Sequence, residues 1–171
     1  MKQISIIDDF FTADQYNKLM KISKPLQYAP RKNEDGIFAH RNTMSSEDSR
    51  VSWVIPIVEK KFNKKLKATE INFDIRDQVY SENKDRKMLS HTDDADFNFI
   101  CYLEGKQTVY NGTGFCCAKT EVGHELNTYI GFQKNRGLFF NGKDVFHGSL
   151  QGLGDSDSRL SLSIFFDEVN N

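Results

Sequence analysis

Four side chains in this sequence have the types and spacing to act on one small site. His91 and Asp93 are separated by a single residue. In an extended chain, positions i and i+2 point to the same side, so one imidazole and one carboxylate can meet the same ion. The pair is a weak signal alone, because Asp93-Asp94-Ala95-Asp96 also reads as an acidic surface turn. His147 lies 56 residues further on, within Val145-Phe146-His147-Gly148, and Arg159 follows 12 residues later. Arg159 opens a stretch in which Arg159, Ser161 and Ser163 share one face while Leu160, Leu162 and Ile164 share the other. Two imidazoles and a carboxylate can hold one face of an octahedron around a transition metal, leaving three positions open. A guanidinium on the polar, inward face of a core strand is costly to bury unpaired, so Arg159 needs an anion from protein or ligand.

The surrounding elements must bring these residues together. Thr12-Ala13-Asp14-Gln15 has the form of a capping box, and Tyr16, Leu19 and Met20 follow at helical spacing. A helix is expected over about residues 13–24. A second is expected from about Ser52 to Leu66, with Trp53, Val54, Ile57, Val58 and Phe62 as its apolar stripe and Pro56 tolerated in the first turn. From residue 69 the pattern changes to strands: Glu70–Arg76, Phe97–Leu103, Gly114–Ala118, Asn127–Phe132, Gly137–Phe140 and Leu160–Phe166. Turn signals such as Asn111-Gly112, Gly123, Asn141-Gly142 and Gly152-Leu153-Gly154 separate them. Helices first and short strands afterwards argue for an α+β, mainly β protein, with helices on one face of a β-sandwich or jelly roll.

Composition limits the alternatives. The 171 residues are 38% hydrophobic and 27% charged, which suits one folded domain rather than a disordered chain. No apolar run approaches a membrane span, and Asp8 and Asp9 interrupt the stretch where a signal peptide would be apolar. Residues 1–70 hold 13 Lys/Arg against 9 Asp/Glu, and residues 71–171 hold 10 against 15, which is mild polarity and no basic patch for duplex DNA. Cys101, Cys116 and Cys117 are odd in number and two are adjacent, so they read as small buried hydrophobes in a reducing cytoplasm. His40 and His124 have no comparable context, although His124 precedes Arg136 by the same 12 residues. Too few strands separate His124 from Asp93 to return it to the same ion.

The ordered set His91-x-Asp93, Ile100-Cys101-Tyr102-Leu103, Asn111-Gly112-Thr113-Gly114-Phe115, Gly137-Leu138-Phe139-Phe140, His147 and Arg159 resembles the 2-oxoglutarate- and Fe(II)-dependent dioxygenases, in their prolyl-4-hydroxylase-like branch. The match covers roughly residues 70–167. The resemblance implies a single domain over 1–171, with helical support in about 1–68 and a double-stranded β-helix in about 69–167. It implies that His91, Asp93 and His147 bind Fe(II), and that Arg159 forks onto the distal carboxylate of 2-oxoglutarate. Tyr102 and Ser161 take positions from which the family assists that carboxylate, and Tyr80 is a weaker candidate. The family favours a Thr near Asn98 and paired glycines before the next strand, where this chain has Gly112-Thr113-Gly114.

The activity implied is hydroxylation of an unactivated C–H bond with O2 and 2-oxoglutarate consumed, inside a water-poor pocket that the 14 Phe are expected to line and support. A protein or peptide side chain is the first substrate class by analogy. A nucleobase or small molecule is the alternative. Nucleic acid is disfavoured because Ile164-Phe165-Phe166, and no second Arg, follows on the Arg159 strand. A cupin-like metal module that does not turn over 2-oxoglutarate would leave Arg159 unexplained, and a metal-free jelly-roll binding module would leave the triad unexplained. Residues 30–50 and 81–90 read first as variable, solvated loops, placed where they could also gate substrate.

Overall fold

The computed structural model describes residues 4–33, 36–76, 90–107, 111–120, 123–148 and 158–169. The described elements run β1 (Ile4–Ile7), α1 (Ala13–Ser23), β2 (Ala29–Asn33), β3 (Gly36–Met44), α2 (Ile55–Phe62), β4 (Leu66–Arg76), β5 (Phe97–Gly105), β6 (Thr113–Thr120), β7 (Gly123–Ile130), β8 (Gly137–Asn141), β9 (Phe146–Gly148) and β10 (Arg159–Glu168). Seven strands form one sheet in the order β1-β8-β5-β10-β4-β3-β2, and three form a second in the order β7-β6-β9. All strand pairs are antiparallel. This is the mainly β, double-stranded β-helix architecture that the strand pattern and the resemblance imply, with two helices in support.

The helices form where their caps allow. Thr12 and Gln15 close the capping box, with Gln15 N donating to Thr12 Oγ1 at 3.3 Å and Thr12 N to Gln15 Oε1 at 3.0 Å. The second helix is shorter than expected. A 3-10 turn at Ser52–Val54 leads into α2, and Asn63 ends it in the left-handed region at φ 51°. Leu66, expected as the helix end, already belongs to β4, where Leu66 and Ala68 are buried between exposed Lys65, Lys67 and Thr69. The Lys-rich run therefore spans a helix end and a strand start.

Residues 1–68 are more than helical support. Strands β1, β2 and β3 lie there and complete the larger sheet at both edges. Residues 30–50, expected as loop, hold the β2–β3 hairpin, in which Ala29 pairs with Arg41 and Arg31 with Ala39. The other segment read as a loop, 81–90, lies almost entirely outside the described residues, as do Tyr80 and Gly152-Leu153-Gly154.

The larger sheet has two different faces. One packs on the helices through a cluster that includes Phe10, Phe11, Leu19, Val54, Val58, Phe73, Phe99, Leu162 and Phe166. The other carries a smaller cluster of Tyr102, Phe115, Phe132, Leu138, Phe140 and Val145, which lies between the sheets. This corrects the expected role of the phenylalanines. Eight of them (Phe10, Phe11, Phe62, Phe73, Phe97, Phe99, Phe139 and Phe166) belong to the helix-side layer. Each fully buried Phe contributes up to about 3 kcal/mol, so most of the apolar stabilisation sits behind the sheet and not around its polar face. Cys101 and Cys116 are buried and take part in no disulfide among the described residues. Among the described residues no helix is long and apolar enough to cross a membrane.

Candidate metal centre

Sequence neighbours and sheet register together assemble the His-Asp-His group. His147 sits in β9, opposite Phe115 of β6. His91 joins it through an isolated antiparallel bridge, in which each residue's N–H donates to the other's carbonyl at 2.9 Å. Directly opposed residues project to the same face, and the two imidazole rings lie 4.7 Å apart. Asp93, two residues along from His91, is anchored by its own N–H to Gly142 O at 3.0 Å.

One ligand atom from each of His91, Asp93 and His147 lies within 4.8 Å of the others. His147 Nε2 is 3.2 Å from Asp93 Oδ2, and His91 Nε2 is 3.5 Å from Asp93 Oδ1. Metal bonds of about 2.1 Å at right angles would put ligand atoms about 3 Å apart, so the two His–Asp separations are close to those of an octahedral face, while the group as a whole, within 4.8 Å, is wider. The ring orientation also fits: His147 Nδ1–H donates to Val145 O at 3.0 Å, which aims Nε2 at Asp93. Burial is graded, from His147 at 7% side-chain exposure through Asp93 at 18% to His91 at 51%. Burial pushes the Asp93 carboxyl upward, but the hydrogen bond and charge of His147, the charge of His91 and the Asn98 amide outweigh it, so the net shift is downward. The group is thereby kept as a carboxylate.

Asn98 is a site residue whose one signal in the sequence was a departure from the family pattern. It is 2% exposed, and its Nδ2 donates to Asp93 Oδ2. Its Oδ1 is buried without a hydrogen-bond partner. Gly142 faces that amide, and a Cβ there would lie 2.5 Å from Ala95 O and 2.9 Å from Asn98 Oδ1. Only glycine fits between the carbonyl and the amide.

A cavity of about 360 Å³ opens from the triad along the polar face of the larger sheet. That volume lies in the range of small-molecule sites. Arg159, Ser161 and Ser163 line it from β10, as their shared strand face requires, with Thr113 from β6. Arg159 is 4% exposed. Its Nη1 donates to Asn111 O at 3.0 Å and Gly112 O at 2.5 Å, so the Asn111-Gly112 turn fixes the guanidinium. Gly112 approaches β7 so closely that a Cβ would lie 2.0 Å from Ile130 O. Tyr102 is placed differently from Ser161. Its hydroxyl donates to Thr113 Oγ1 at 2.7 Å, and its ring lies 5.0 Å beneath the Arg159 guanidinium. It reaches the cavity only through those two side chains. His40 lies in β3 opposite Pro30 and Ile75. His124 lies in β7, in register with Lys119.

No protein-family model matches the chain, and no curated protein matches it in sequence. Solved structures match over nearly its whole length. The non-heme alpha-ketoglutarate-dependent epimerase SnoN of nogalamycin biosynthesis aligns with a TM-score of 0.69 at 11% identity, covering 98% of this chain and 78% of that one. Another SnoN structure holds Fe3+, alpha-ketoglutarate and nogalamycin RO. A prolyl-4-hydroxylase from Pseudomonas putida aligns with a TM-score of 0.61 at 14% identity, covering 99% and 95% of the two chains. A prolyl hydroxylase from Trichoplax adhaerens, solved with a hypoxia-inducible-factor peptide, aligns with a TM-score of 0.63 at 9% identity, covering 98% and 84%. The fold of this chain is therefore that of the 2-oxoglutarate- and Fe(II)-dependent oxygenases.

Proposed function

We propose that the protein is an Fe(II)- and 2-oxoglutarate-dependent dioxygenase that hydroxylates an unactivated C–H bond. The observation that carries this reading is the convergence of His91, Asp93 and His147 at one end of a cavity whose sheet wall presents Arg159. The donor set of two imidazole nitrogens and one carboxylate suits Fe(II) with three positions left open. When bound, the iron supplies oxidation of a C–H bond by O2 coupled to decarboxylation of 2-oxoglutarate, with overall products succinate, CO2 and an alcohol. The residues of the chain bind and orient. His147, His91 and Asp93 hold the ion, with Val145 O and Asn98 fixing the direction of two of them. Arg159 takes the distal carboxylate of 2-oxoglutarate, Ser161 and Thr113 offer hydroxyls beside it, and Tyr102 packs beneath the guanidinium.

A protein or peptide side chain remains the first substrate class, supported by the resemblance to prolyl-4-hydroxylases and by the prolyl hydroxylases among the structural neighbours. The neighbours from nogalamycin biosynthesis support a small molecule as the second class. Anaerobic titration with Fe(II) and 2-oxoglutarate tests the core of the reading. The visible metal-to-ligand charge-transfer band should form, and Arg159→Ala should weaken 2-oxoglutarate binding at least tenfold. Absence of the band, together with unchanged 2-oxoglutarate affinity in Arg159→Ala, would refute it. Succinate release under O2, with candidate peptides and small acids added in turn, then identifies the substrate.

A further inference from the structure

Beyond Arg159, the cavity is lined by three more arginines, Arg31, Arg41 and Arg76, against the carboxylates of Asp74 and Asp93 among the described residues. Register places three of the four guanidiniums in one row. Arg159 of β10 pairs with Arg76 of β4. His40 of β3 pairs with Ile75, which puts Ala39 beside Arg76, and Ala39 pairs with Arg31 of β2. The row therefore crosses four adjacent strands on the cavity face, with a small residue where β3 passes. Strands are about 4.8 Å apart, so Arg159 and Arg31 stand about 14 Å from one another at their backbones. One carboxylate cannot serve both ends.

The fourth arginine is already matched. Arg41 donates from Nε to Asp74 Oδ1 at 2.6 Å and from Nη2 to Asp74 Oδ2 at 3.4 Å, so Asp74 is committed to it. Arg76 is different. It is half-buried and makes no hydrogen bond or ion pair among the described residues. Burial and the neighbouring Arg159 charge push its guanidinium down to about 10, against a smaller upward pull from Asp74. A buried cation in that position is stabilised by a mobile anion more than by anything the described residues supply.

We propose that Arg76, with Arg31 at the exposed rim, forms a second anion-binding station for a carboxylate or phosphate group on the primary substrate, apart from the Arg159 end assigned to the cosubstrate. This substrate class rests on the oxygenase reading above, whereas the anion station itself does not need it. Arg41 is matched by Asp74 and Glu70, and Arg159 is assigned to the cosubstrate, so among the described residues Arg76 is a lining guanidinium whose charge is left for the substrate to meet. A neutral prolyl side chain answers none of that charge, whereas an acidic small molecule or an acidic peptide does.

The test measures binding, not turnover. N-acetylglycine and glycerol 3-phosphate are titrated beside their uncharged counterparts, N-acetylglycinamide and glycerol, with thermal stabilisation of the full chain as the readout. The charged members should bind saturably and the uncharged ones should not. Arg76→Gln should weaken the charged probes at least tenfold, Arg31→Gln should weaken them less, and Arg76→Lys should retain most of the effect. Saturating 2-oxoglutarate should leave probe affinity unchanged. Whichever charged probe binds more tightly identifies carboxylate or phosphate as the group recognised. Equal binding of charged and uncharged probes, an unchanged affinity in Arg76→Gln, or displacement of the probes by 2-oxoglutarate would each overturn the proposal. If Arg76→Gln does not fold, Arg31→Gln and Arg76→Lys decide on the same criteria. Failure of the charge-transfer band in wild-type protein would sink the oxygenase reading alone, since the probes are also titrated without metal.

Discussion

Removing the Asn98 side chain isolates the support of the metal centre from the stability of the fold. Asn98→Ala deletes the amide that donates to Asp93 Oδ2 and leaves all three ligand side chains in place. A buried hydrogen bond to a carboxylate is worth about 1.5–3 kcal/mol. At 1.4 kcal/mol per tenfold, that corresponds to metal binding about 10- to 100-fold weaker, provided the bond acts by fixing Asp93 in its ligating pose. The same substitution also removes Oδ1, which is buried without a partner and already costs the native state about 1–3 kcal/mol. The two effects oppose each other in metal-free protein, so its thermal midpoint should move by only a few degrees. Competition titration of Fe(II) or Co(II) under nitrogen, beside thermal unfolding with a chelator present, separates the two. Wild-type metal affinity in Asn98→Ala would refute the argument that Asn98 holds Asp93. A large loss of metal-free stability would refute the offset.

Other perturbations follow from the same geometry. Gly142→Ala pushes a methyl against Ala95 O and the Asn98 amide, and should cost about 1–3 kcal/mol while also weakening metal binding, checked by unfolding and the same titration. At this chain length each kcal/mol lowers the midpoint by about 2–4 °C. Tyr102→Phe removes the hydroxyl that donates to Thr113, and should lower stability by about 1 kcal/mol while changing 2-oxoglutarate affinity less than threefold in an anaerobic titration. Asp8 takes a two-pronged contact from Arg136, at 2.6 and 3.0 Å, which holds its carboxyl below the ordinary value of 3.8 despite some burial. A depressed folded-state value means that this contribution is full above the unfolded value near 4 and is lost as pH falls through the lower folded one. Because Asp8 is 46% exposed, Asp8→Asn should cost only about 0.5–1 kcal/mol near neutrality, and its difference from wild type should fade in unfolding curves below about pH 4.

The chemistry was more legible than the scaffold because it is carried by rare residue types at strand-compatible spacing. His91 and Asp93 need only an extended chain to converge, and the alternation after Arg159 declares which face looks inward. The first three strands carry no such signal. Strand β2 reads Ala29-Pro30-Arg31-Lys32-Asn33, with a proline and three polar residues, because it is an edge strand and needs few apolar side chains. Its partner β3 is as polar because its cavity face holds Arg41 and Thr43. Asn98 was illegible for another reason. It alternates correctly with Phe97 and Phe99, and only the tertiary path of the 91–96 segment gives its amide a carboxylate to hold. The phenylalanines misled because an aromatic content specifies burial without specifying which side of a sheet is buried.

The bridge between His91 and His147 has a thermodynamic side as well. Two backbone hydrogen bonds join segments 56 positions apart along the chain, and the paired side chains both face the same candidate ion site. Closing a loop of that length costs chain entropy, which so short a bridge offsets poorly. An ion held by both imidazoles acts as a crosslink across that loop, because it binds the closed arrangement and not the open one. At 100 times its dissociation constant such a ligand adds about 2.7 kcal/mol to stability. Occupancy of that ion site would then set how firmly the His91–His147 bridge is shut.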